Sequence, residues 1–427
     1  MDRRGLLAGA AGVLATTALG VTAPGATARA AAPPGGGGGG AGGGAGGRGG
    51  RAVVPEFRGM WVATVTNVDW PSQAGLTAAR QREQLLTLLD SAVAQRLNAV
   101  ILQVRPAADA LWPSPLEPWS QWLTGRQGTD PGWDPLGTAV AEAHERGLEL
   151  HAWFNPYRVA THDDRERLAA SHPVRRNPEW AVEYGGRLYY NPGLPEVRTF
   201  VQDAMLDAVA RYPVDAVHWD DYFYPYPEAG AYFDDDAAYE LHGAGFASRA
   251  DWRRYNVDLL VSEMAARLPG VRPGVRFGIS PFAVWRNGDR DPLGSATRAG
   301  LGTYDDLYAD TRKWVKEGWI DYVAPQCYWH IGHPQADYRV LVPWWAQTVA
   351  GTGVDLYIGE ALYRCVSGSP TPAWRDPAEL SRHLSLARQH AEVRGHSYFS
   401  AKQVAADPIG AMARVVTDHY PTAVPPR

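Results

Sequence analysis

Cysteine is nearly absent from this chain: Cys327 and Cys365 are the only two in 427 residues. Two thiols do not make a metal centre, and no histidine cluster stands at ligand spacing, so no metal is expected. No G-x-G-x-x-G follows the first strand-like run, which argues against a dinucleotide-binding fold and leaves no cofactor to expect. Charge of one sign is also scarce. The formal net charge is -5 and the basic residues are scattered, which points away from nucleic acid. The one N-terminal apolar stretch is short and rich in Gly and Ala, too weak for a membrane span, and no Cys follows it to carry a lipid anchor.

Tryptophan and tyrosine, by contrast, are abundant at 17 and 20. Many stand beside charged or amide residues. Such rings fill cores, and they also stack on sugars. Arg3-Arg4-Gly5-Leu6-Leu7 opens a twin-arginine pattern, and Ala28-Arg29-Ala30 offers a small-x-small cleavage site. Residues 1–30 therefore read as an export signal and 31–52 as a Gly-rich flexible tether. Residues 53–427 read as one folded domain, secreted or held at the cell wall and monomeric. Cys327 and Cys365 fall just after two consecutive predicted strands. In an exported protein they could pair, or they could be two small buried hydrophobes.

After the tether, apolar runs alternate with helical patterns. The runs are Phe57–Val65, Asn98–Arg105, Leu148–Asn155, Val214–Tyr222, Val275–Phe282, Ile320–Tyr328, Asp355–Tyr363 and Gly395–Val404. Helices are expected after each, the first over Thr77–Arg96 with Thr77 as its cap. Eight strand–helix units in strict alternation predict an α/β protein, a single-domain (β/α)8 TIM barrel with long βα loops.

The centre of the chain is VDAVHWDDYFYPYP, Val214 to Pro227. A buried strand runs into Asp220 and Asp221, and then into prolines that cannot continue a ladder. In a parallel barrel, catalytic groups sit at the carboxyl ends of the strands. Trp219, Tyr222, Phe223 and Tyr224 would wall the two acids. Neighbours on an extended strand point to opposite faces, so a local bulge is needed to bring both carboxyls into one pocket. Two assignments stand open. In one, Asp220 orients a substrate acetamido group and Asp221 is the general acid. In the other, Asp220 is nucleophile or base, and the acid comes from Glu360 on the seventh run. Glu360 could equally be a partner for Arg364 or Lys402, and Asp109 is a further candidate acid.

The other strand ends supply a carbohydrate-like lining. Trp61, Trp153, Tyr222, Tyr224, Trp285 and Tyr328 are candidate sugar platforms. Gln103, Asn155 and Gln326 are candidate hydroxyl ligands. Asp109, Arg286 and Tyr363 complete the expected binding set. Arg105, Arg158 and Lys402 could bind an anionic substituent or could pair with acids such as Asp109.

The motifs also stand together as a known pattern. EFRGMWVATVTNVDWPS (Glu56–Ser72), LNAVILQVRPAADALWPSPLEPWSQWLTG (Leu97–Gly125) and DPLGTAVAEAHERGLELHAWFNPYR (Asp134–Arg158) lead into the acidic pair. FGISPFAVWRN, DYVAPQCYWHIG and LYIGEALYR follow it. In combination they resemble glycosyl-hydrolase-like family 10, exported bacterial proteins with a barrel domain. The resemblance implies a (β/α)8 glycosidase whose acidic pair is Asp220 and Asp221. It points to peptidoglycan glycan strands lacking stem peptides. The expected function is thus an exported glycoside hydrolase acting on an amino-sugar polymer. A non-catalytic wall-glycan-binding barrel is the alternative, as is a glycosidase for another polysaccharide.

Overall fold

A computed structural model describes residues 55–427. The export signal and the tether expected at 1–52 lie wholly outside the described residues. Eight parallel strands close on themselves: β1 Phe57–Val62, β2 Ala99–Arg105, β3 Glu149–Phe154, β4 Ala216–Trp219, β5 Arg276–Ile279, β6 Tyr322–Val323, β7 Asp355–Glu360 and β8 Val393–Phe399. Each strand pairs with its neighbours in sequence, and β8 returns to β1. This is the (β/α)8 barrel that the alternation predicts.

Side-chain alternation sorts the strand residues into two layers. Phe57, Trp61, Ile101, Trp153, Tyr322 and Tyr357 form an inner cluster. Met60, Val100, Leu102, Leu150, Val217, Leu356 and Ile358 face outward, against helix residues such as Leu85, Val201, Leu260 and Leu341. Helix starts follow the local signals. Thr77 accepts from Arg80 N at 3.3 Å, and Asp134 accepts from Gly137 N at 2.9 Å with Pro135 in the first turn.

Several boundaries differ from expectation. β4 stops at Trp219 and β6 spans only two residues. Pro281 and Pro325 follow β5 and β6 closely and lack the N–H a longer ladder needs. The helix expected over Tyr304–Glu317 is two short ones, Thr303–Asp306 and Thr311–Lys316. The segment after β3, expected as a plain loop, carries a small antiparallel sheet of Arg158–Ala160, Ala181–Tyr184 and Arg187–Tyr190. Cys327 and Cys365 are buried free thiols.

Candidate active site

β3 and β4 build the centre of the site. β4 ends before the acidic pair, so Asp220 and Asp221 escape strand alternation without a bulge. Both are buried, at 4% exposure each. Their surroundings are opposite in kind. Asp220 Oδ2 accepts the Trp153 indole N–H at 3.0 Å, and the Asn155 amide reaches both carboxyl oxygens at 3.1 Å. The backbone N–H of Tyr222 donates to Oδ1 at 3.2 Å. Burial pushes the Asp220 pKa up, while the Arg158 charge and these donors oppose it. Asp221 has fewer helpers. It accepts from the Tyr226 hydroxyl, and the Gln326 amide faces it. Burial first, and then the charge of Asp220, push Asp221 up to about 6. The donors and the guanidinium around Asp220 thus oppose the effect of burial more fully than the two groups around Asp221 do.

Below the pair runs a chain of inner-facing polar groups. An indole N–H only donates, so His218 Nε2 accepts from Trp61 Nε1, 3.1 Å away. Its proton therefore sits on Nδ1 and is given to Tyr322 Oη at 2.9 Å. Tyr322 in turn donates to His151 Nδ1 at 2.9 Å, and His151 Nε2 donates to Glu149 at 2.9 Å. Burial holds both histidines below their usual pKa, which matches two neutral rings with fixed tautomers. The chain spans the barrel from its floor to the Trp61 ring. That ring lies over Gly359, where a Cβ would come within 3.2 Å of it.

The structure gathers part of the expected set around the acids: Trp153, Asn155, Tyr222, Gln326 and Tyr328. Arg158 stacks over Tyr222 at 4.4 Å. Tyr328 packs on Tyr363, with ring centres 5.8 Å apart. Gln103 accepts from Thr64 N and Val65 N, fixing the loop after β1, while its Nε2 is buried without a protein partner.

Other expected residues are placed elsewhere. Glu360 lies on the outer face of β7, in phase with Leu356 and Ile358. Its carboxylate accepts from Tyr338 at 2.7 Å, His383 at 2.8 Å and His396 at 3.0 Å. It cannot face the mouth, because alternation turns it toward the helices. Arg105 forms a fully buried two-bond pair with Glu117, at 2.6 Å for each bond, and donates to the carbonyls of Asn155 and Pro156. Four of its five N–H donors are thereby committed within the protein. Asp109 anchors Gln121 N at 3.3 Å, and burial raises it to about 7. Tyr224 packs between Phe233 and Tyr308. Trp285 is tied to Asp310, and Arg286 to Asp291 and Asp305. Lys402 reaches the Val68 carbonyl on the rim. Trp219 and Phe223, expected in the wall, face the outer layer against Phe277 and Trp314.

One group beside the acids, Tyr226, carried no signal in the sequence, and another, Arg158, was expected without its true neighbour. Tyr226 stands between Pro225 and Pro227, and only the path of that turn carries its hydroxyl back to Asp221. Arg158 was legible as a cation but not as the partner of Asp220. Its position follows from Asn155 Oδ1 accepting Arg158 N at 2.8 Å, a turn that an Asn-Pro pair favours.

Comparison with known proteins agrees with this geometry. The chain is 48% identical over 374 residues to Glycosyl hydrolase YngK of Bacillus subtilis (strain 168), covering 87% of this chain and 73% of the relative. It is 40% identical over 364 residues to Glycosyl hydrolase DigH of Escherichia coli (strain K12), covering 80% and 82%. Among solved structures, the glycoside hydrolase domain of PgaB (BpsB) from Bordetella bronchiseptica superposes with a TM-score of 0.55 at 13% identity. That alignment spans 84% of this chain and 98% of that one, a likeness of fold. The family model Glycosyl hydrolase-like 10 matches residues 56–376, which take in seven of the eight strands and both acids; the chain belongs to that family and is a glycoside hydrolase.

Proposed function

We propose that this enzyme cleaves an amino-sugar polymer, the peptide-free glycan strands of peptidoglycan, with Asp221 as general acid and base and Asp220 as the orienting carboxylate. The observation that carries the assignment is the contrast between the two neighbours. Asp220 holds three N–H donors and a nearby guanidinium, which favour its anion. Asp221 is left high enough to carry a proton near neutral pH.

The steps follow from those states. Asp221 gives its proton to the glycosidic oxygen as the bond from that oxygen to C1 breaks. The carbonyl oxygen of the 2-acetamido group bonds to C1, while Asp220 accepts the acetamido N–H and holds it in line. Water then attacks C1, passes a proton to the Asp221 carboxylate, and restores the acetamido group. Trp153 and Tyr222 provide rings beside the reacting sugar. The twin-arginine pattern at Arg3-Arg4 supports action outside the cytoplasm, where such a polymer lies.

The test is Asp221→Asn, assayed by release of reducing ends from purified peptide-free glycan strands. Loss of release in a variant that unfolds like the parent is expected. Parental turnover by that variant would overturn the assignment.

A further inference from the structure

A cavity of about 300 Å³ opens on the flank of the barrel, between helices Thr311–Lys316 and Tyr338–Val349 and under Pro292–Gly294. None of its lining residues touches the acidic pair. Its wall is the ring of Trp344, which is locked. The indole N–H donates to the Leu293 carbonyl at 3.0 Å, one face lies along Trp285, and an edge meets Trp345. Across from it stand Arg312 and Lys316, four residues apart on one helix face.

Those two cations lack an acid, and the Arg312 guanidinium lies 5.7 Å from the centre of the Trp285 ring. Their neighbour Lys313 is neutralised by Asp258 at 2.8 Å. Among the described residues, Arg312 and Lys316 have no acid within ion-pair distance and make no side-chain hydrogen bond. Like charges at this helical spacing repel. Lys316 is exposed, yet partial desolvation and the charge of Arg312 hold it below its usual pKa. An anion between them would relieve that cost. Gln347 adds an amide at the edge. A simple anion has no use for an indole face, and a neutral sugar has no use for two cations. The combination suits a sugar ring that bears a carboxylate.

We infer that this cavity is a second glycan site, outside the barrel mouth, that takes a carboxylate-bearing sugar unit. Its identification with wall glycan rests on the function proposed above. In that polymer the lactyl carboxylate of the muramoyl unit is free only where the stem peptide is gone, because the peptide bond converts it to an amide. The flank site would then hold peptide-free strands and release peptide-bearing ones. A uronic acid polymer offers the same chemistry from another source.

The test is 19F NMR of the whole protein labelled with 5-fluorotryptophan, the Trp344 signal being assigned by its loss in Trp344→Phe. Three probes are titrated: a muramoyl disaccharide with a free lactyl acid, the same disaccharide as its lactyl amide, and a galacturonate oligomer. A saturating shift of the Trp344 signal with the free acid, weakened about tenfold for the amide and about tenfold in Arg312→Gln/Lys316→Gln, is expected. Lys316→Gln alone serves if the double variant does not fold, with a smaller loss expected. Tighter binding of the galacturonate would keep the site and assign it to a uronic acid polymer. Equal response to acid and amide, or parental affinity in the charge variants, would overturn it. Reducing-end release from peptide-free glycan is measured alongside. Release without a Trp344 response removes the flank site and leaves the proposed function. A response without release does the reverse.

Discussion

The indole of Trp153 donates to Asp220 Oδ2 at 3.0 Å, joining the inner face of β3 to the residue that follows β4. A hydrogen bond to a carboxylate stabilises the anion, so this contact sets the charge state on which the proposed mechanism depends. Trp153→Phe keeps the ring and removes the donor. We expect kcat/KM to fall about 10- to 100-fold, the effect of losing a bond to a charged group. Asp220 would also ionise at higher pH. The acidic limb of the pH–rate profile should therefore move upward, and an unmoved limb would deny Asp220 its role as an anion.

Asp221 near 6 fixes the other limb. In the proposed mechanism its proton must be present to leave with the glycosidic oxygen, so activity should decline as pH rises through about 6. The Tyr226 hydroxyl bonds the ionised form and lowers the pKa. Tyr226→Phe should accordingly shift the basic limb to higher pH while slowing turnover by about tenfold. A downward shift would show that Tyr226 acts in some other way.

Glu360 should matter to stability and not to chemistry. Burial pushes its pKa up, yet His383 and His396 outweigh that and leave it below its usual 4.5. Burial pushes His383 down, yet Glu360 and Glu379 outweigh that and leave it above 6.5. The depressed acid stabilises the fold above its unfolded pKa and loses that effect as pH falls. The raised histidine stabilises it below its unfolded pKa and loses that effect as pH rises. Both contribute between 4.5 and 6.5, so the unfolding temperature should be highest there. Glu360→Gln should flatten that dependence and cost about 3 kcal/mol, read by chemical denaturation, with kcat nearly unchanged. A collapse of kcat in the folded variant would return Glu360 to the chemistry.

Tyr322 is the middle of the buried polar chain. Tyr322→Phe strands the Nδ1 atoms of two neutral histidines and should cost about 2–4 kcal/mol in denaturant unfolding. Gly278 supplies the room for that ring. A Cβ there would lie 2.0 Å from Tyr322 Cζ, so Gly278→Ala should destabilise by about 1–3 kcal/mol through overpacking. Parental stability of both variants would mean the chain relaxes easily.

The repeating order of β runs and helical runs was legible because hydrophobic period is a local property. Thr77, Asp134 and Pro135 marked helix starts for the same reason. The adjacent acids were also legible, since a buried strand that runs into two carboxyls and then prolines has few other uses. Glu360 was misplaced where a count of residues along β7 would have served: it shares phase with the outward Leu356 and Ile358. Arg105 and Arg286 look the same in sequence as ligand-binding cations, and only the fold shows that they are paired, with Glu117 and with Asp291 and Asp305.

The sequence by itself therefore determined the closed parallel barrel and the position of the acidic pair, because both are written in runs of neighbouring residues. Tertiary structure alone decided how differently the two carboxyls are surrounded. That difference depends on Trp153, Asn155, Arg158, Tyr226 and Gln326, brought from separate segments, and on the burial they create together. Electrostatic energy is set by distance in space and by exclusion of water, and neither quantity follows from separation along the chain.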